Sequence, residues 1–198
     1  MKKIKLIIAA LTVFACAGFA FAQENIIPHG DMEGASLGEW IAEGSTLSLP
    51  AGKGVSGSTA LYVRGKFNWS GVGKDLSKMN IVDGSDYYVE VWFKADNGDK
   101  GKRHSDVALA IQPDDCTEED YDDFIYMGLD PVDGKYTGSS VELSNKEYVK
   151  VCGVISGEEI KNQLNGRKAV NVTIYFKIDA PTRPFYVDNV VIKKNNYL

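Results

Sequence analysis

Histidine is scarce in this chain. His29 and His104 are its only two, so a metal centre built on several histidines is excluded. A basic excess is also missing. Lysine and arginine number 22 against 27 acidic residues, a net charge of −5, which argues against binding a nucleic-acid backbone. Methionine occurs four times and cysteine three times, an odd count. Beyond the N-terminal stretch there is no second apolar segment, and nowhere a run of ~20 apolar residues to span a bilayer. No nucleophile elbow, phosphate loop or zinc signature is present. Low-complexity linkers and internal repeats are absent too. What is present points elsewhere. The 198 residues suit one domain, with ordinary hydrophobic and charged shares of 44% and 25%. Twenty glycines and ten tyrosines lean towards a fold rich in strands and turns.

The N-terminus reads as an address. Lys2, Lys3 and Lys5 precede an apolar stretch from Ile4 to Phe21, which ends Ala20-Phe21-Ala22 before polar Gln23 and Glu24. Small residues thus stand at the −3 and −1 positions of a signal-peptidase cut, and residues 1–22 read as a secretory signal peptide. The rivals are an uncleaved anchor helix and a lipid anchor on Cys16, where bulky Phe14 fits that signal poorly. Removal of residues 1–22 leaves 176 residues, with 19 basic against 27 acidic side chains, a net charge of −8. The expected product is secreted or periplasmic, or held at the cell surface. Cys116 and Cys152 then remain, an even pair in an oxidising compartment. A disulfide between them would contribute roughly 3–4 kcal/mol in the chain-entropy model. The other reading is two thiols that never meet.

The rest, from Glu24 to Lys194 with a polar tail over 195–198, is read as one domain. Its periodicity is that of strands. Leu61 and Val63 share a face in 60–64; Val89, Val91 and Phe93 share one in 87–94. Val107, Leu109 and Ile111 do so in 107–112, and Val149 and Val151 in 148–155. Residues 170–178 place Val170, Val172, Ile174, Phe176 and Ile178 together, with Asn171, Thr173, Tyr175 and Lys177 opposite. A last strand covers 185–192. Asp83-Gly84, Asn97-Gly98, Asp133-Gly134 and Asn165-Gly166 supply turns. One short helix is expected near 158–164. Many strands without interleaved helices predict an all-β fold, an antiparallel β-sandwich. Trp92 and Tyr175 stand on faces otherwise polar, as rings facing a partner do; cover by loops is the alternative.

The opening Asn25-Ile-Ile-Pro-His29-Gly30-Asp31-Met32-Glu33-Gly34, then Trp40, resembles the start of carbohydrate-binding modules of families 4, 9 and 22. His29 replaces the usual Asn, Met32 the usual Phe, and Glu39 the Gly before Trp40. Residues 60–71, with Leu61, Val63, Gly65, Trp69 and Gly71, are similar to the family 22 pattern, although Lys66 stands where Arg is usual. Residues 87–95, ending Trp92-Phe93-Lys94-Ala95, resemble the family's central strand, and Phe185 to Val190 its closing strand. The resemblance implies a jelly-roll sandwich that attaches to polysaccharide of β-glucan or xylan type.

Sugar binding is a matter of stacking and rim contacts. A pyranose ring shows polarised C–H groups on its flat faces, and an aromatic ring shows a negative π face. Trp69 stands at the family's ligand-facing tryptophan. Trp92 shares a strand face with Glu90, so stacking and hydroxyl recognition would lie side by side. Tyr175, Tyr126 and Gln112 are further candidates. Arg64 and Lys66 are candidates for hydroxyls or a uronate, with plain solvation the alternative. Trp40 is assigned to the core.

The resemblance also implies one structural calcium ion (Ca2+) where the first and last strands meet. Glu33 and Asp188 stand at its positions, with backbone carbonyls near Asn25 and Lys53 to complete an oxygen shell. Between Asp114 and Asp123 lie seven carboxylates within ten residues, without the spacing of a helix–loop–helix calcium site; the expectation is a solvated loop. A glycosidase needs two carboxylates about 5–9 Å apart, and Glu90 has no evident partner on its face. The expected function is therefore non-catalytic polysaccharide binding. A structural or adhesive protein that contacts other surface proteins, and a small polysaccharide-active enzyme, are the alternatives.

Overall fold

The computed structural model describes residues 24–96, 102–116, 124–128, 136–180 and 182–195. The leader over 1–22, the turns at Asn97-Gly98 and Asp133-Gly134, and residues 117–123 of the acidic stretch lie outside the described residues.

Ten strands are described: β1 (Ile41–Glu43), β2 (Ser45–Ser48), β3 (Leu61–Gly65), β4 (Gly71–Asp75), β5 (Tyr87–Ala95), β6 (Ser105–Pro113), β7 (Phe124–Tyr126), β8 (Val149–Ile155), β9 (Ala169–Ile178) and β10 (Phe185–Lys194). They form two five-stranded sheets. The first has the order β1-β4-β9-β6-β7 and the second β2-β3-β10-β5-β8, with every pairing antiparallel. This is the all-β sandwich that strand periodicity predicts.

The core lies between the sheets. Val89, Val91 and Phe93 of β5 face Val107, Leu109 and Ile111 of β6, with Val172, Ile174 and Phe176 of β9 beside them, all buried. These are the residues that alternation assigns to the inner faces. Trp40 is buried as expected, its ring edge-on to Phe176 at 6.3 Å. Val170 departs from the pattern and is 55% exposed. The register slips there, since Gln112 pairs with Asn171 but Pro113 with Ala169, and Val170 becomes the extra residue of a bulge.

The one described α-helix, α1 (Gly157–Leu164), lies where the sequence predicts it. The Ser156 hydroxyl accepts from the Glu159 N–H at its start, and Asn165 ends it in the left-handed region. Sequence periodicity misses β1, β2, β4 and β7. β1, β2 and β7 are four residues or shorter, too brief for alternation to register, whereas β4 equals β3 in length. β4 carries Gly71 and Gly73, which read as breakers from sequence alone.

Cys116 and Cys152 are thiols, not a disulfide. Cys152 is buried in β8 of the second sheet, where its N–H donates to the Thr137 hydroxyl at 2.9 Å. Cys116 follows β6 of the first sheet, and its N–H donates to the Pro113 carbonyl. The expected bridge is not formed: each residue is a free thiol, Cys152 within β8 and Cys116 just past the end of β6. No described helix is long and apolar enough to cross a membrane.

Candidate functional site

Cross-strand register builds the outer face of the first sheet row by row. Tyr126 of β7 pairs with Ala108 of β6, Ala108 with Tyr175 of β9, and Tyr175 with Gly73 of β4. The next row runs Phe124, Ala110, Thr173 and Asp75. Alanines and a glycine thus form a low floor between aromatic walls. Gly73 leaves room for its neighbours: a Cβ there would sit 2.9 Å from Cγ2 of Thr173 and 3.0 Å from Cε1 of Tyr175, so both side chains would have to shift by a few tenths of an ångström.

The walls are arranged in detail. Phe124 meets Tyr175 edge-on at 6.0 Å and Tyr126 at 6.4 Å. The Lys177 ammonium lies 4.9 Å from the Phe124 ring centre and 5.1 Å from that of Tyr175, a cation held over two π faces. Two hollows result. One is lined by Asp106, Ala108, Phe124, Tyr126, Tyr175 and Lys177. The other is lined by Ala110, Ile111, Gln112, Asn171, Thr173 and Tyr175. Tyr126 is 54% exposed. Burial and the nearby Asp106 charge push its hydroxyl pKa up, so it stays a hydrogen-bond donor.

Trp69 stands at the opposite edge of this sheet, in the loop from β3 to β4. It is 51% exposed, and Phe67, 49% exposed, stacks on it at 4.9 Å and 10°. Buried Ser70 shapes this loop. Its hydroxyl donates to the Gly44 carbonyl at 2.8 Å and accepts from the N–H groups of Phe67 and Lys66. Gly44, at φ +56°, lets the chain turn between β1 and β2 beneath the indole.

The candidates named from sequence therefore separate. Tyr175, Tyr126 and Gln112 come together on the first sheet, with Trp69 at its edge. Arg64, Glu90 and Trp92 belong to the second sheet. Lys66 is exposed in the Trp69 loop. Glu90 is bound on both oxygens: Tyr88 donates its hydroxyl at 2.6 Å, the Trp92 indole N–H donates at 3.1 Å, and Lys150 lies 3.5 Å away. Burial pushes the Glu90 pKa up, but these partners outweigh it and leave it below the ordinary value. Sequence reasoning missed Phe124, Phe67 and Lys177 as site residues. Lys177 was legible, since it shares the outward face of β9 with Tyr175; Phe124 needed the pairing of β7.

The departures at the N-terminal motif answer one another. The His29 ring nitrogen lies 3.2 Å from Glu39, and the buried Lys74 ammonium lies 3.3 Å from the same carboxylate. The Ser36 backbone bond, with these two partners, holds Glu39 below the usual carboxylate range.

Glu33 and Asp188 both bind the loop over 54–59. Glu33 accepts from the Thr59 N–H at 2.5 Å. Asp188 is fully buried; it accepts from Val55 N–H at 2.7 Å, Ser58 Oγ at 3.1 Å and Asn189 N–H at 2.7 Å. Burial pushes its pKa up, against these bonds. Among the described residues, no group of three or more His, Cys, Asp or Glu is placed to hold a metal. An oxygen-only set of two carboxylates and backbone carbonyls suits a hard cation such as Ca2+, and the Lys53 carbonyl lies at this loop, accepting from Tyr148 Oη at 2.8 Å.

Solved structures share this architecture. The xylan-binding CBM22-1 domain of Paenibacillus barcinonensis Xyn10C is 12% identical, with a TM-score of 0.55 over 78% of this chain and 85% of that one. The C-terminal family 22 carbohydrate-binding module of Clostridium thermocellum Xyn10B is 17% identical, with a TM-score of 0.59 over 89% and 98%. The tandem CBM22-1-CBM22-2 of Paenibacillus barcinonensis Xyn10C reaches a TM-score of 0.64 at 13% identity, over 87% of this chain and 46% of that one. No family model and no curated protein matches the chain. The class these likenesses define is a fold: the jelly-roll sandwich of carbohydrate-binding modules. Within it, the chain is similar to the family 22 modules that its sequence motifs resemble.

Proposed function

We propose that this chain is a secreted, non-catalytic module that holds a polysaccharide of xylan or β-glucan type across the outer face of the first sheet. The observation that carries the reading is the row Tyr126, Ala108, Tyr175, Gly73: rings standing over a floor of small residues. Pyranose faces stack on Tyr175, Phe124 and Tyr126, while Gln112, Asn171 and Lys177 bond hydroxyls at the rim. Five strands at ~4.8 Å spacing span about 19 Å, enough for several sugar units laid across the sheet. Trp69, with Phe67 stacked on it, extends the platform at the β1 edge. Glu90 and Trp92 act in this reading as a bonded brace on the opposite sheet. Glu90, committed to Tyr88, Trp92 and Lys150, is a poor general acid, which supports a non-catalytic role.

Affinity gel electrophoresis against soluble xylans and β-glucans tests this. The protein is expected to be retarded by at least one of them. Tyr175→Ala is expected to weaken that retardation about two- to tenfold, the worth of one stacking contact. Trp92→Phe is expected to leave it unchanged. Absence of retardation on every glycan overturns the reading, and a loss confined to Trp92→Phe moves the site to the other sheet.

We further infer that Glu33 and Asp188 hold a structural Ca2+. The support is a fully buried carboxylate with no lysine or arginine partner among the described residues. The ion would supply the missing positive charge and tie the 54–59 loop to β10.

A further inference from the structure

The aromatic ridge of β7 has two sides. On one side Phe124 and Tyr126 line the hollow over the first sheet. On the other side the same two rings line a groove against α1, completed by Ile125, Glu159, Asn162 and Gln163. This groove is a shallow depression open to solvent, wider than the hollow it adjoins. Ile160 and Leu164 are turned into the core, so α1 is anchored by its other face. Glu159, Asn162 and Gln163 are spaced three and four apart, which places them on one helix face, and they border the ridge together.

We propose that the groove between β7 and α1 is a second sugar subsite that takes a neutral branch of the bound polysaccharide. This rests on the reading of the first sheet as glycan-binding. A glycan lying over Tyr175 and Ala108 reaches the groove by crossing a single ring, since Tyr126 borders both spaces. The chemistry fits a sugar: an exposed phenol ring to stack on, a carboxylate that accepts from two hydroxyls, and the Asn162 amide, which both donates and accepts. The charge selects among sugars. Glu158 and Glu159 open the helix, and Asp114 and Asp115 meet its far end through Lys168 N–H and the Arg167 guanidinium. No lysine or arginine pairs with Glu159 among the described residues. A uronate in the groove would face that carboxylate directly, whereas a neutral pentose or hexose would not.

Isothermal titration of the whole protein decides it. The probes are unbranched xylan and β-glucan oligosaccharides, their neutral-branched counterparts from arabinoxylan and xyloglucan, and glucuronate-substituted xylan. The expected result is tighter binding of a neutral-branched form than of its unbranched form, by about fivefold to a hundredfold for two added hydrogen bonds. The Glu159→Ala/Asn162→Ala double variant is expected to erase that difference and leave affinity for the unbranched form unchanged. An equal loss on both forms, no loss on either, or glucuronate-substituted xylan bound as tightly as the neutral-branched form overturns the subsite while the main face stands. A wild-type protein that binds none of the probes overturns the main face, and the subsite with it.

Discussion

Replacing Asp188 by Asn removes a charge and keeps the shape. In the native site Oδ2 accepts from Val55 N–H and Ser58 Oγ, and Oδ1 accepts from Asn189 N–H. An asparagine offers one oxygen and one NH2. Whichever way the amide turns, its NH2 faces a backbone N–H that the carboxylate held at 2.7 Å. The residue is fully buried, so water cannot take up the orphaned donor. An unsatisfied buried group costs about 1–3 kcal/mol. Relief from burying a charge offsets part of this, which leaves about 2 kcal/mol. For a chain of this size that lowers Tm by about 4–8 °C.

Thermal melts with EDTA and with excess CaCl2 are the assay. Wild type should gain Tm with calcium, by the equivalent of about 2.7 kcal/mol at a hundredfold excess over Kd. Asp188→Asn should start lower and not respond. The pH dependence has a definite sign. The folded pKa lies above the ordinary 3.8, so without a cation the contribution of Asp188 is complete below that value and is lost as pH rises through the folded pKa. Calcium bound at the proposed site would reverse this, because the ion favours the ionised form. A variant that melts with wild type in EDTA refutes the hydrogen-bond account. A wild-type Tm indifferent to calcium refutes the metal assignment.

Gly44→Ala puts a Cβ 2.7 Å from Trp69 Cζ3 at a φ of +56°. It should cost about 1–2 kcal/mol from backbone strain alone, and the displaced indole should change tryptophan emission; an unaltered melt and spectrum would count against the packing described. Asp83 is pushed up by burial, but Lys194, Ser85 and Tyr87 outweigh this and hold it at about 2. Its contribution is present above the ordinary 3.8 and is lost as pH falls towards 2. Asp83→Asn should therefore narrow the Tm gap to wild type on acidification, and a gap independent of pH would contradict the assignment. Thiol titration should find two reactive groups in the unfolded domain without reductant, with buried Cys152 protected in the native state; a native protein whose mobility changes on reduction would show the sheets joined after all.

Alternation along single strands made most of the fold legible. Val89, Val91 and Phe93, or Ile174, Phe176 and Ile178, need no partner to reveal which face is inward, because side chains alternate with a period of two. Val170 escaped that logic because a bulge depends on the partner strand. The site was legible only in part. Tyr175 announces itself as a ring on a polar face, but Trp92 does so equally. Alternation within β5 already sets Glu90 beside Trp92, but nothing within β9 says that Tyr175 lies over small residues of the neighbouring strands.

The chain's own pattern thus determined the class of fold, the core residues and the helix, since these follow from local periodicity and capping. Tertiary structure decided which rings share a surface. Strand order places β7 beside β6 and β9 beside β4, setting Tyr126, Ala108, Tyr175 and Gly73 in one row across four strands distant in sequence. It likewise left Cys116 and Cys152 unbridged. Hydrogen bonds between strands carry that information, and a linear pattern of residues does not.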